Sequence, residues 1–237
     1  MNEMMKMIRF DLITVSRLTV PYVAIFVAVS IIASLFGLTF GILCVVNFVM
    51  IIAPIQGISN SSCKRLYGML PVRRSAVIKA LFTEIFVTMF IGELLSFLCL
   101  FIGRSSSLYK MLPENLSRIA SNYSELPESK YMKMYLFAAA AFAFLTIVLC
   151  FAQMRSEIIN MEAAIREFLI IVTVFAAVTT FISVMIYNEK LRALKDILLP
   201  PTTAGKWLSI AILNAVTLAA AYIFCTVTVK KASNKEL

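Results

Sequence analysis

Six runs of this sequence are apolar for long enough to cross a lipid bilayer, and that fact constrains the fold more than any other. They lie at about Val20–Phe36, Leu38–Ala53, Leu81–Ile102, Met134–Gln153, Phe168–Tyr187 and Trp207–Val229. A hydrocarbon slab of ~30 Å takes roughly 20 helical residues per crossing. The chain has 237 residues, 61% of them hydrophobic, which is more than a soluble core of this size needs. A membrane β-barrel requires ten-residue segments of alternating polarity, and none is present. The expected fold is therefore all-α: a polytopic membrane protein, one domain over 1–237, with six transmembrane helices joined by short connections.

The connecting segments carry the charge. Residues 1–19 place Met4, Met5, Ile8, Leu12 and Val15 at helical spacing, with Lys6 and Arg9 elsewhere on the wheel, which predicts an amphipathic interfacial helix ahead of the first span. Gly37 makes a tight turn between the first two spans, and Ser30, Ser34, Gly37 and Gly41 set small residues at a spacing suited to close backbone contact. With both termini cytoplasmic, 13 of the 22 basic residues fall on the inner side. Segment 57–80 then lies inside, while 104–133 and 188–206 are external loops. The net charge of +9 fits this asymmetry, and no basic domain stands clear of the spans to engage nucleic acid. The expected location is a cell membrane, multi-pass, in a bacterium.

Several chemistries are excluded at once. There is no histidine, which removes His metal sites, Ser-His-Asp catalysis and imidazole bases. The five cysteines are scattered without a CxxC pair, so thiols in the helices are expected rather than a disulfide framework or a zinc site. No GxxxxGK[ST] occurs, so the chain has no phosphate-binding loop of its own. The reading is a non-enzyme without a cofactor.

The most informative stretch precedes the third span. Ser59–Ser62 offers capping residues, Lys64, Arg65, Leu66, Tyr67, Gly68, Met69 and Leu70 follow, and Pro71 breaks a helix or sets the angle of the next. Arg73, Arg74 and Lys79 then lead into the apolar run. By themselves these basic residues read as an anchor to lipid phosphates. Leu70-Pro71-Val72-Arg73-Arg74 followed by Ile78-Lys79 and a span also resembles the signature of permease subunits of type-2 ATP-binding cassette exporters. The small permeases of peptide toxin and lantibiotic export look most similar, and the layout of N-terminal helix, six spans and inner loop matches as well. The departures are Arg73 where the family has Ser or Thr, and Ser61, Ser62 and Lys64 where an acid usually stands. The resemblance implies that this loop holds the coupling helix docking into a separate ATPase subunit. Lys64, Arg65, Leu66, Tyr67, Met69, Leu70, Pro71, Arg73, Arg74 and Lys79 would then be the contact residues. It further implies a second permease subunit, identical or a sibling, and an amphipathic peptide or hydrophobic drug as cargo.

Glu84 and Glu93 are the acids within a predicted span. A charge at bilayer depth costs about 2.5–3.5 kcal/mol on insertion scales, so each requires a reason. Glu84 lies one turn inside Lys79, near enough to the interface to snorkel. Glu93 sits near the middle of the run and is expected to face the bundle interior, a subunit or a cavity. Nine residues apart, the two acids fall on opposite faces of a helix. Thr88, Gly92 and Ser96 continue a small polar stripe from Glu84 that suits translocation or subunit contact. Asn214 and Thr217 read as ordinary interhelical hydrogen-bond formers. Two rival functions share these features: a secondary transporter using Glu93 as its ion site, and a non-transporting immunity or scaffold protein.

Overall fold

The computed structural model describes residues 3, 5–8, 24–25, 27–36, 73–111, 113–115, 117, 128–159, 162–171, 173–174 and 202–233. Among the described residues the chain is all-helical. Three long helices dominate: α1 (Arg74–Ser105), α2 (Glu128–Ile158) and α3 (Thr203–Ser233). All three are long and apolar enough to cross a membrane. At a rise of 1.5 Å per residue each reaches about 46–48 Å, beyond a ~30 Å slab and into both head-group layers. The run 38–53 lies outside the described residues, as do parts of the first and fifth runs.

Each helix begins earlier than the apolar runs suggest. Helix α1 starts at Arg74, so residues 74–80, expected in the inner loop, form its first two turns. Arg73 is extended (φ −63°, ψ 134°), and its carbonyl accepts the N–H groups of Ala76 and Val77. Helix α2 takes in residues 128–133 and α3 residues 203–206, both expected in external loops. A helix keeps its backbone groups bonded internally, so each extends past the apolar stretch into polar sequence. Helix α3 is capped by Thr202, whose Oγ1 accepts the Gly205 N–H at 3.1 Å. Lys230 and Lys231 in its last turn, and Arg104 in the last turn of α1, complement the carbonyl ends.

Three buried threonines satisfy their hydroxyls within their own helices. Thr146, Thr217 and Thr228 each donate to the carbonyl four residues back, at 2.7–2.8 Å. This bond removes the penalty of a bare O–H donor in an apolar setting.

Three stacked clusters give the direction of packing. Leu100 near the end of α1 meets Met132, Tyr135, Leu136 and Ala139 near the start of α2, and Ile210 near the start of α3. Met89 meets Phe142 and Leu145 at mid-height. Ile78 and Phe82 near the start of α1 meet Cys150 of α2, with Ala221 and Ala232 of α3. Helix α1 is thus antiparallel to α2 and α3, which run parallel to each other. Helix α2 is the centre, with 56% of its apolar window buried against 33% for α1 and 17% for α3. Its Ala138, Ala139 and Ala143 are buried, small enough to let the neighbouring backbones come close. Cys99, Cys150 and Cys225 carry thiols rather than disulfides.

The helical segment 27–35 meets α1 at its far end. Ser30 and Ser34 are buried, and a Cβ on Gly103 would stand 3.3 Å from the Ser34 carbonyl oxygen. The Ser106 hydroxyl, just past α1, donates to the carbonyl of Leu35 and accepts the Leu108 N–H. Of the small residues marked in sequence, Ser34 approaches α1 at Gly103; Gly37 and Gly41 lie outside the described residues. Gly103→Val forces branched carbons into that contact and is expected to cost about 1–3 kcal/mol. Thermal unfolding of the purified protein checks this, and an unchanged midpoint would contradict the close approach.

Near the N-terminus, residues 5–8 are helical, with Met7 buried by protein and Met5 exposed. The covered side chain is thus not one of the apolar stripe drawn through Met4, Met5 and Ile8. A wheel shows which residues share a face but not which face the protein covers.

Candidate functional site

Glu93 occupies the interior of the bundle. It lies 19 residues beyond Arg74, about 28 Å along α1, and is 3% exposed. One oxygen of its carboxyl group, Oε1, accepts two hydrogen bonds: from the Tyr135 hydroxyl of α2 at 3.3 Å and from Asn214 Nδ2 of α3 at 3.0 Å. Each of the three helices contributes one polar group to this node. Interhelical hydrogen bonds in membranes are worth about 0.6 kcal/mol on average and up to ~1–2. Two of them offset part of the ~2.5–3.5 kcal/mol cost of an acid at depth and leave no surplus. The node is better understood as fixing register and orientation than as a source of stability.

Packing holds the Tyr135 hydroxyl in place. Its ring lies 4.8 Å from that of Phe97 and 5.8 Å from that of Trp207, and the last two are 5.7 Å apart. The tilted and edge-on arrangements are those aromatic quadrupoles favour. This triad also draws one residue from each helix, on the side of Glu93 nearer Ser105.

On the other side of Glu93, toward Arg74, lies a small void of about 10 Å³, room for one water-sized occupant. Glu93, Asn214, Thr146 and Thr217 supply its polar lining, and Phe86, Phe90 and Phe142 contribute its aromatic wall. Thr146 and Thr217 are almost fully buried, at 2% and 3% exposure.

The Arg74 end of the bundle is held by charge. Arg155, near the end of α2, grips Glu167 of the helical segment 162–171 in a bidentate pair, Nε to Oε2 at 2.7 Å and Nη2 to Oε1 at 2.6 Å. The hydrogen bonds from Arg155 hold the Glu167 carboxyl below its ordinary range. Arg74 lies 3.8 Å from Glu157 of α2, which also accepts a bond from Gln153. Such a pair contributes ~0–1 kcal/mol in water, so its value is positional.

Among the residues singled out from sequence, Lys64, Arg65, Leu66, Tyr67, Met69, Leu70 and Pro71 lie outside the described residues. Arg73 and Arg74 are exposed where α1 begins, and Lys79 is exposed in its second turn. Glu84 and Thr88 are half-buried, while Gly92, Glu93 and Ser96 are buried. The structure joins Glu93 to Asn214, which sequence marked only as a generic hydrogen-bond former, and to Tyr135, which it did not mark. The available signal was a tyrosine at the head of an otherwise apolar run. Lys206, expected in an external loop, is a buried residue of α3 because capping at Thr202 starts the helix a turn earlier. Among the described residues no group of three or more His, Cys, Asp or Glu side chains is placed to hold a metal.

Comparison with known proteins finds no family model, no curated relative and no solved structure that matches the chain.

Proposed function

We propose that this chain is the membrane subunit of an ATP-driven exporter, working with a separate ATPase and a second membrane subunit to move amphipathic peptides or hydrophobic drugs. The observation that carries the reading is the continuity of α1. One unbroken helix runs from the exposed Arg73-Arg74 pair to Glu93 in the bundle interior. A helix is stiff along its axis, so a partner that displaces its basic end displaces the buried node with it. Arg74 is also tied to Glu157, which links that displacement to α2. Basic side chains at the rim of an apolar contact steer and orient a docking partner.

Six crossings fit the described helices. Helices α2 and α3 are parallel, and the sequence between Ile158 and Thr203 holds the apolar run 168–187. Leu35 meets the Ser106 end of α1 while Arg73 stands at the opposite end. The sequence between these two residues holds the apolar run 38–53. With the Arg74 end cytoplasmic, both termini are inside the cell membrane.

The test is to purify the chain with candidate ATPases in lipid nanodiscs and measure hydrolysis. Arg73→Glu/Arg74→Glu is expected to lower complex formation and stimulated turnover at least about tenfold, a loss of ~1.4 kcal/mol or more in the contact. If wild type neither binds nor stimulates an ATPase, or the charge reversal changes nothing, the reading fails.

A second reading, transport driven by an ion gradient, draws support from the buried Glu93 carboxyl beside a water-sized void. It predicts uptake or efflux in proteoliposomes with an imposed gradient and no ATPase.

A further inference from the structure

Hydrogen-bond accounting around the void beside Glu93 leaves mostly acceptors. The carboxyl group receives the hydroxyl of Tyr135 and the Nδ2 of Asn214 on Oε1. Toward an ionised Glu93, Asn214 presents one N–H of its amide, which leaves its second N–H as a donor and its Oδ1 as an acceptor. Thr146 and Thr217 have each committed their O–H to a carbonyl of their own helix, Phe142 and Leu213 respectively. Their hydroxyl oxygens offer lone pairs alone. Three helices thus line a space for a single water-sized body with residues that carry one carboxyl group, one amide and two hydroxyls.

We infer that this void is a binding site for a small monovalent cation of sodium size, with Glu93, Asn214, Thr146 and Thr217 supplying the oxygens. Hard cations take carboxylate, carbonyl and hydroxyl oxygens. A single carboxylate balances one positive charge, and a divalent ion would leave an uncompensated charge in an apolar bundle, which is strongly disfavoured. The small void selects against a large or hydrated ion. Phe86 and Phe90, stacked with ring centroids 6.2 Å apart, line the same space and add ring surface that attracts cations. Phe90 is 42% exposed, so the aromatic wall of the site reaches the bundle surface.

The site deepens the ion-driven reading by naming the ion and its ligands, and it stands apart from the ATPase reading. The full chain is purified in detergent, and its thermal midpoint is followed against sodium chloride, with choline chloride holding ionic strength constant and potassium chloride as comparator. A saturable rise specific to sodium is expected, because a ligand that binds only the folded state raises its stability. Thr146→Val and Thr217→Val keep side-chain volume and the Tyr135–Glu93–Asn214 bonds. Each is expected to weaken sodium affinity about tenfold or more. Glu93→Gln is expected to abolish the sodium effect; should it fail to fold, the two valine variants still decide. The inference is overturned by no sodium response in wild type, by an equal response to choline or potassium, or by valine variants that respond as wild type does. Binding is read without transport, so its failure leaves the ATPase assay untouched, and sodium binding without gradient-driven flux rejects ion coupling alone.

Discussion

Asn214→Leu is expected to destabilise the bundle by about 1–3 kcal/mol, and adding Glu93→Met in the same chain is expected to restore part of the loss. The reason is the asymmetry between losing a hydrogen bond and orphaning a buried polar group. Removing the bond alone forfeits roughly 0.6 kcal/mol in a membrane setting. Leaving the carboxyl oxygen of a 3%-exposed glutamate with one donor fewer adds its desolvation penalty, and that larger figure sets the expectation. Replacing both partners with apolar groups of similar size removes the demand of the carboxyl and the amide together but leaves the Tyr135 hydroxyl without its acceptor, so the double variant returns part of the way toward wild type. Equilibrium unfolding in mixed micelles measures all three proteins. Strictly additive losses would show that Glu93 and Asn214 do not depend on each other.

The second large effect concerns packing at mid-height. Phe142→Ala is expected to cost about 3–5 kcal/mol, the usual penalty for emptying a packed aromatic site. Phe142 is 2% exposed, packs in the cluster with Met89 and Leu145, and walls the void beside Glu93. Phe137, five residues earlier on the same helix, is 63% exposed, and Phe137→Ala is expected to stay within about 0.5 kcal/mol. The comparison isolates contact from composition. Lipid tails are as apolar as a phenyl ring, so moving Phe142 out of the bundle gains nothing from solvent and loses its packed contacts outright. If both variants lose equally, interior packing is not what holds these helices together.

How far the sequence anticipates this arrangement depends on which physical signal each residue sends. Length and apolar character marked α1, α2 and α3, because hydrocarbon thickness sets a single scale. They placed the helix starts too late, because polar turns at the head-group level keep helical bonds without an apolar pattern. Pro200-Pro201-Thr202 ahead of Thr203 was a start signal in plain view, a proline pair followed by a capping residue, and weighing it would have put Lys206 inside α3. Glu93 stood out because a charge in a greasy run demands a partner. The identity of that partner was not legible, since Tyr135 and Asn214 lie 42 and 121 residues away and nothing local links them to α1. The void was illegible for the same reason: it exists only where three helices converge. Of the basic segment from Lys64 to Arg74, only Arg73 and Arg74 belong to the bundle described, so its reading rests on sequence.

The aromatic triad gives the molecule an internal lamp. Trp207 is the chain's single tryptophan, and its indole leans on rings from the two other helices directly beside the Tyr135–Glu93 bond. Any rearrangement that parts the helices there must unstack that indole and change the polarity around it. The protein's own emission spectrum therefore follows the state of the buried carboxyl node in real time, with no label attached.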